Sequence, residues 1–106
     1  MSILNINNNE FNSIVLENNK PVLAEYWAPW CVYCRRIAPA LDKIADQFAE
    51  QIQVVKVNAD DNAEIIIQEG IEAHPTFVLY KNGQAAAQII APDSKAKLEA
   101  FINENI

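Results

Sequence analysis

Apolar residues form two kinds of pattern along this chain, short continuous runs and stripes with helical spacing. The runs predict strands at 22–27, 53–58, 76–80 and 85–90, and Ile3, Leu4 and Ile6 predict a short strand before them. The stripes predict helices at 9–18, after Cys31, at 61–69 and after Ser94. Alternating strands and helices indicate parallel crossovers, and the Asn-Gly turn within 81–84 predicts an antiparallel hairpin. The order βαβαβαββα therefore predicts an α/β fold, a central mixed sheet with helices on both faces.

The helix after Cys31 has the clearest apolar stripe. The stripe consists of Ile37, Leu41, Ile44, Ala45 and Phe48. Pro39 lies inside this helix, where it is expected to introduce a kink and remove one backbone hydrogen bond.

Composition narrows the class of protein without identifying it. With 106 residues and 51% hydrophobic content, the chain is expected to form one domain, residues 1–106. A formal charge of −6 argues against nucleic acid or an anionic membrane as the main partner. Residues 1–9 lack the basic and apolar segments of a secretory signal, so a cytoplasmic protein is expected. We also expect it to be a monomer. Only two glycines are present, too few for a glycine-rich phosphate loop.

The candidate chemistry lies in Cys31 and Cys34, which follow a predicted strand and begin a predicted helix. This spacing brings the sulfurs within bridging distance, and the helix N-terminus stabilises a thiolate at Cys31. A redox pair is therefore favoured over two alternatives, inert structural cysteines and half of a zinc site. Zinc usually needs four ligands, and the only other strong nitrogen donor in the sequence is His74.

The segment Trp27-Ala28-Pro29-Trp30-Cys31-Val32-Tyr33-Cys34 resembles the thioredoxin family. The resemblance extends over essentially the whole chain. It includes Pro39, Lys56, His74-Pro75-Thr76 and Lys81-Asn82-Gly83.

The resemblance implies a protein disulfide oxidoreductase that reduces protein disulfides. Cys31 would be the attacking thiol and Cys34 the buried resolving thiol. Pro75 would be a cis-proline that binds an extended substrate segment, and Trp30 an exposed wall beside Cys31. Electrons would come from a reductase resembling thioredoxin reductase, and no metal or organic cofactor is expected.

Glu25 interrupts an apolar strand, where a carboxyl group is unfavourable unless it is satisfied or functional. By resemblance, Glu25 would accept the proton of Cys34, with Lys56 as its charged neighbour. The alternatives are a structural Glu25–Lys56 pair and an exposed acid on an edge strand.

The chain departs from the usual thioredoxin pattern at three places. Val32-Tyr33 stands where Gly-Pro is usual, His74 where Ile is usual, and Ala91 where a glycine of the substrate groove is usual. The first two changes suggest a redox potential less reducing than that of typical thioredoxins, and His74 could stabilise the Cys31 thiolate.

These departures leave three alternatives to a reductase. The first is net isomerase or oxidase activity by the same chemistry. The others are a non-catalytic binding module with this fold and a cysteine-ligated metal or iron–sulfur protein.

Overall fold

Five strands form one mixed sheet in the computed structural model, which describes residues 3–106. The strands are β1 (Ile3–Asn5), β2 (Val22–Trp27), β3 (Gln53–Asn58), β4 (Thr76–Lys81) and β5 (Gln84–Ile90). The α-helices are α1 (Val32–Gln47), α2 (Ala63–Glu69) and α3 (Lys95–Asn105). The sheet order is β1-β3-β2-β4-β5, and the predicted α/β fold with its mixed sheet is confirmed.

Strand direction follows the predicted pattern only in part. Both β1 and β2 run parallel to β3, and the hairpin of β4 and β5 is antiparallel. The expected parallel crossover fails between β3 and β4, because β4 pairs antiparallel with β2. A buried apolar run reads the same in either direction, so the sequence pattern could not show which way β4 runs.

The helix predicted at 9–18 is present in another form. Residues Asn8–Glu10 make a 3-10 turn, and Asn12–Leu16 make a π-helical turn closed by a hydrogen bond from the Glu17 N–H to the Asn12 carbonyl. Phe11 and Val15 are buried as their spacing predicts.

Two asparagines fasten this N-terminal segment to α2. The Asn8 N–H donates to Asn62 Oδ1 at 2.9 Å, and Asn8 Oδ1 accepts from the Ile65 N–H at 3.2 Å. The helix predicted at 61–69 begins two residues later than expected, at Ala63, because Ala59–Asp61 form a 3-10 turn.

The hydrophobic core lies on both faces of the sheet. Helices α1 and α3 cover one face, where they pack against Leu23, Val54, Phe77 and Leu79. The 11–16 segment and α2 cover the other, which includes Ala24, Tyr26, Val55 and Tyr80. Adjacent residues of β2 therefore point into different cores, and this alternation separates Glu25 from Tyr26.

Helix α1 continues through Pro39, which lies on its exposed side. The backbone hydrogen bond that proline removes is therefore lost where water can replace it. Within residues 3–106, no helix is both long and apolar enough to cross a membrane.

Candidate active site

The two cysteines lie where the chain leaves β2 and begins α1. Cys31 is the N-cap residue of α1, and its Sγ accepts a hydrogen bond from the Cys34 N–H at 3.1 Å. The two residues form a disulfide, with their Cα atoms 5.3 Å apart. Cys31 is 5% exposed and Cys34 4%, so exposure does not distinguish the sulfurs, whereas the capping hydrogen bond does. A thiolate at Cys31 would keep that bond and lie in the positive potential of the helix N-terminus.

Trp30 projects into solvent next to the disulfide, with 64% of its surface exposed. Its Nε1 donates to Asp60 Oδ1 at 3.2 Å, and the His74 ring lies edge-on at a centroid distance of 5.6 Å. Val32 and Tyr33 are also exposed. The side chains between and beside the cysteines therefore form a surface that a partner protein can reach.

The chain enters β4 through a cis peptide bond between His74 and Pro75. The Pro75 carbonyl accepts a hydrogen bond from the Ala91 N–H at 2.9 Å. His74 has a buried Nε2 with no hydrogen-bond partner among the described residues.

Ala91 adopts φ of +46°, a left-handed conformation that favours glycine. The backbone of Ala91 therefore has a conformation suited to the glycine that is usual at this position in thioredoxins, although alanine carries a Cβ atom.

Glu25 is a buried carboxyl group in the same cavity as Cys34. It is 1% exposed, and neither carboxyl oxygen has a hydrogen-bond partner within residues 3–106. Burial raises the pKa of Glu25 to about 7, although Lys56, with its Nζ 3.9 Å from Oε1, opposes the rise. Lys56 also lies over the Trp27 ring, 4.7 Å from its centroid. The sequence predicted the Glu25–Lys56 neighbourhood, and the two residues are directly opposite each other in the register of β2 and β3.

A cavity of about 70 Å³ joins the Glu25 carboxyl group to Cys34. It is lined by Glu25, Trp27, Cys34, Arg35, Ala38 and Lys56. The volume is sufficient for water molecules, which could carry a proton between Cys34 and Glu25. Within residues 3–106, no group of three or more His, Cys, Asp or Glu side chains is arranged to hold a metal ion.

A second feature beside the motif was not predicted. The Arg36 guanidinium lies 5.4 Å from the centre of the exposed Tyr33 ring. Together with Ile37, Pro92 and Asp93, these residues line a cavity of about 100 Å³. The i, i+3 spacing of Tyr33 and Arg36 on α1 was the available signal, whereas the contribution of Pro92 required the tertiary structure.

A Cys-x-x-Cys disulfide at the start of a helix, with a buried carboxyl group in the same cavity as its second cysteine, is typical of a thiol–disulfide oxidoreductase. The thioredoxin family model matches residues 2–104. Thioredoxin from Haemophilus influenzae is 42% identical over 98% of this chain and 97% of its own length. Thioredoxin from Porphyra purpurea is 38% identical over 100% of this chain and 99% of its own length. An M-type chloroplastic thioredoxin from Chlamydomonas reinhardtii is 38% identical over 92% and 73%.

The chain therefore belongs to the thioredoxin family. It is a thiol–disulfide oxidoreductase, and its substrates as a class are protein disulfides.

Proposed function

We propose that the protein reduces protein disulfides, with Cys31 as the attacking thiol and Cys34 as the resolving thiol. The observation that carries the assignment is the hydrogen bond from the Cys34 N–H to the Cys31 sulfur. This bond and the helix N-terminus favour negative charge on Cys31 rather than on Cys34.

The reaction proceeds by two exchanges. In the first, the Cys31 thiolate attacks one sulfur of the substrate disulfide, a mixed disulfide forms, and the second substrate sulfur leaves as a thiolate that takes up a proton. In the second, Cys34 loses its proton and attacks the Cys31 sulfur, which releases the first substrate sulfur as a thiol. The substrate gains two electrons and two protons, and the protein is left with the Cys31–Cys34 disulfide.

Glu25 is the proposed acceptor of the Cys34 proton. It lines the same cavity as Cys34, and its pKa of about 7 matches a group that exchanges protons near neutral pH. Lys56 limits the rise of that pKa and so keeps a fraction of Glu25 ionised.

Trapping experiments test the assignment of the two thiols. A Cys34→Ser variant should accumulate a mixed disulfide between Cys31 and a protein substrate such as insulin, because the resolving thiol is missing. The matched Cys31→Ser variant should accumulate none. Accumulation with Cys31→Ser but not with Cys34→Ser would reverse the roles.

The proton-transfer role of Glu25 has a separate test. Glu25→Gln should change the pH profile of insulin reduction, with the largest loss of rate near neutral pH. An unchanged profile would remove this role.

The surface around the disulfide is the proposed substrate groove. Trp30, Pro75 and Ala91 would contact an extended substrate segment, with the methyl group of Ala91 narrowing the groove. The electron donor would be a reductase of the thioredoxin reductase class. We further propose that the protein acts as a cytoplasmic monomer and that its redox-active disulfide is its only redox group.

A less reducing protein, with isomerase or oxidase activity, is the second candidate. It is favoured by Val32-Tyr33 between the cysteines and by His74. The His74 ring packs against Trp30, and its Nε2 has no hydrogen-bond partner within residues 3–106. A protonated His74 would stabilise the Cys31 thiolate and raise the redox potential into the window of roughly −270 to −180 mV.

Equilibration with glutathione buffers decides between the two candidates. On the second candidate, His74→Ile should lower the potential. An unchanged potential after that substitution would discard the role of His74, and a parent value at or below roughly −270 mV would favour the reductase.

A further inference from the structure

The cavity beside Tyr33 and Arg36 is not used by the proposed exchange reaction, although it adjoins the redox motif. Ile37 and Pro92 are buried and form its base, while Tyr33, Arg36 and Asp93 are exposed at its rim. Its volume of about 100 Å³ suits a single side chain rather than an organic cofactor.

The charges at the rim are not equivalent. Asp93 already pairs with Lys97, whose Nζ lies 3.0 Å from its Oδ1. Among residues 3–106, the guanidinium of Arg36 has no ion-pair partner, and it lies 5.4 Å from the centre of the Tyr33 ring. The rim therefore presents one uncompensated positive charge.

The positive charge of Arg36 is one of few in an acidic chain. Arg35 and Arg36 are its only arginines, in a sequence with 14 acidic and 8 basic residues. The Arg35 guanidinium donates to the Pro29 carbonyl at 2.8 Å, which leaves Arg36 as the arginine whose donors face no acceptor in the described chain. An anionic group approaching this acidic protein would be attracted beside the redox motif.

We propose that this cavity binds an acidic side chain, above all glutamate, of the protein substrate close to its disulfide. The carboxylate would accept hydrogen bonds from Arg36, whose planar guanidinium suits bidentate binding. The methylene groups would pack on Tyr33 and Pro92. The inference rests on the proposed reduction of protein disulfides and adds a preference among substrates.

Matched peptides test the proposal. Each peptide contains one intramolecular disulfide. A single Glu stands one or two residues before or after the attacked cysteine, and the control peptide carries Gln at the same position. At one or more positions, kcat/KM should be about three- to fivefold higher for Glu, the range of a well-oriented exposed ion pair. The difference should decrease with added salt.

Three variants locate the effect. Arg36→Gln should abolish the preference while leaving the Gln peptides and the redox potential unchanged. Arg36→Lys should restore it in part, since lysine keeps the charge but loses the planar geometry. Lys43→Gln removes the same charge from an exposed position two turns along α1 and should leave the preference intact.

The contrary outcomes are distinct. Equal rates for Glu and Gln peptides at every position would overturn the acidic subsite while leaving the oxidoreductase activity in place. A uniform loss of rate on all peptides with Arg36→Gln would show that Arg36 acts through the thiolate, and would also overturn it. A parent protein that reduces none of the peptides would contradict the proposed function itself.

Discussion

Two adjacent residues of β2, Glu25 and Tyr26, place polar groups in the two cores on opposite faces of the sheet. The two groups differ in whether they are hydrogen-bonded. Glu25 faces α1 and the cysteines, is 1% exposed and has no hydrogen-bond partner among the described residues. Tyr26 faces the other core, is fully buried, and its hydroxyl lies 2.6 Å from that of Tyr80.

The tyrosine side is satisfied by a chain of hydrogen bonds. The Tyr80 hydroxyl donates to Glu69 Oε1 at 2.7 Å, so its single hydrogen is used there and Tyr26 donates to Tyr80. Burial raises the pKa of both tyrosines above their usual range, which keeps both hydroxyls protonated.

The difference between the two sides separates a structural group from a reactive one. A buried polar group that is fully bonded stabilises one conformation, whereas an unbonded carboxyl group destabilises the fold in its charged form and exchanges protons near neutral pH. Since Glu25 and Tyr26 lie on the same strand, the effects of substitutions on the two faces of the sheet can be compared directly.

The largest expected effect is the pH dependence contributed by Glu25. Its pKa is about 7 in the folded protein against 4.5 for an unperturbed group, so the folded state holds the proton over this interval and loses stability as pH rises through it. Glu25→Gln removes this loss. Relative to the parent, the oxidised variant should gain about 3 kcal/mol in free energy of unfolding between about pH 4 and about pH 9.

Urea unfolding of both oxidised proteins across that range measures the difference. A difference that does not vary with pH would mean that Glu25 titrates normally and that the contrast with Tyr26 is wrong.

The tyrosine side should show an intermediate loss of stability that does not depend on pH. Tyr80→Phe leaves both the Tyr26 hydroxyl and Glu69 Oε1 without their partner and should lower the free energy of unfolding by about 2 kcal/mol. Tyr26→Phe keeps the bond to Glu69 and should lower it by about 1 kcal/mol. Equal losses in the two variants, measured at about pH 6 and again at about pH 9, would contradict the order of donors given above.

Ala91 allows a change in stability caused by the backbone to be compared with the changes caused by the Glu25 and tyrosine side chains. Because its φ is +46°, Ala91→Gly should raise the free energy of unfolding by about 1 kcal/mol at any pH. The matched control, Ala100→Gly at an exposed position inside α3, should lower it by about 0.5–1 kcal/mol, since glycine weakens an ordinary helix interior. Thermal unfolding of both variants suffices, and destabilisation by Ala91→Gly would exclude strain at this residue.

The smallest expected effect is that of Lys56. Its charge lowers the pKa of Glu25, so Lys56→Met should raise that pKa further and move the pH dependence of stability to higher pH. The change in free energy of unfolding should stay below about 1 kcal/mol, because the ion pair is long and Lys56 is partly exposed. A shift to lower pH would show that Lys56 does not stabilise the Glu25 carboxylate.

The sequence predicted the candidate site because its signals are local. Two cysteines one turn apart, a proline before a strand and a carboxyl group inside an apolar run are visible without any fold. The departures at Val32, His74 and Ala91 were visible too, since they lie within the stretches that resemble thioredoxins.

Several features needed contacts between distant residues. Tyr26 and Tyr80 are 54 positions apart, as are Asn8 and Asn62. No local sequence pattern predicts that either pair is in contact. The lack of a hydrogen-bond partner for Glu25 within residues 3–106 is likewise a property of its surroundings, since the sequence was compatible with a fully satisfied Glu25–Lys56 pair.

By itself, then, the sequence determined the redox-active pair, most of the elements and the core-facing stripe of α1, because these depend on residue type and on the period of helix or strand. The tertiary structure decided the direction of β4, the left-handed backbone of Ala91, the burial of the Glu25 carboxyl group away from hydrogen-bond donors, and the cavity of Tyr33 and Arg36. Each of these depends on which segments meet across the sheet or at a helix end, and that is fixed only when the whole chain packs.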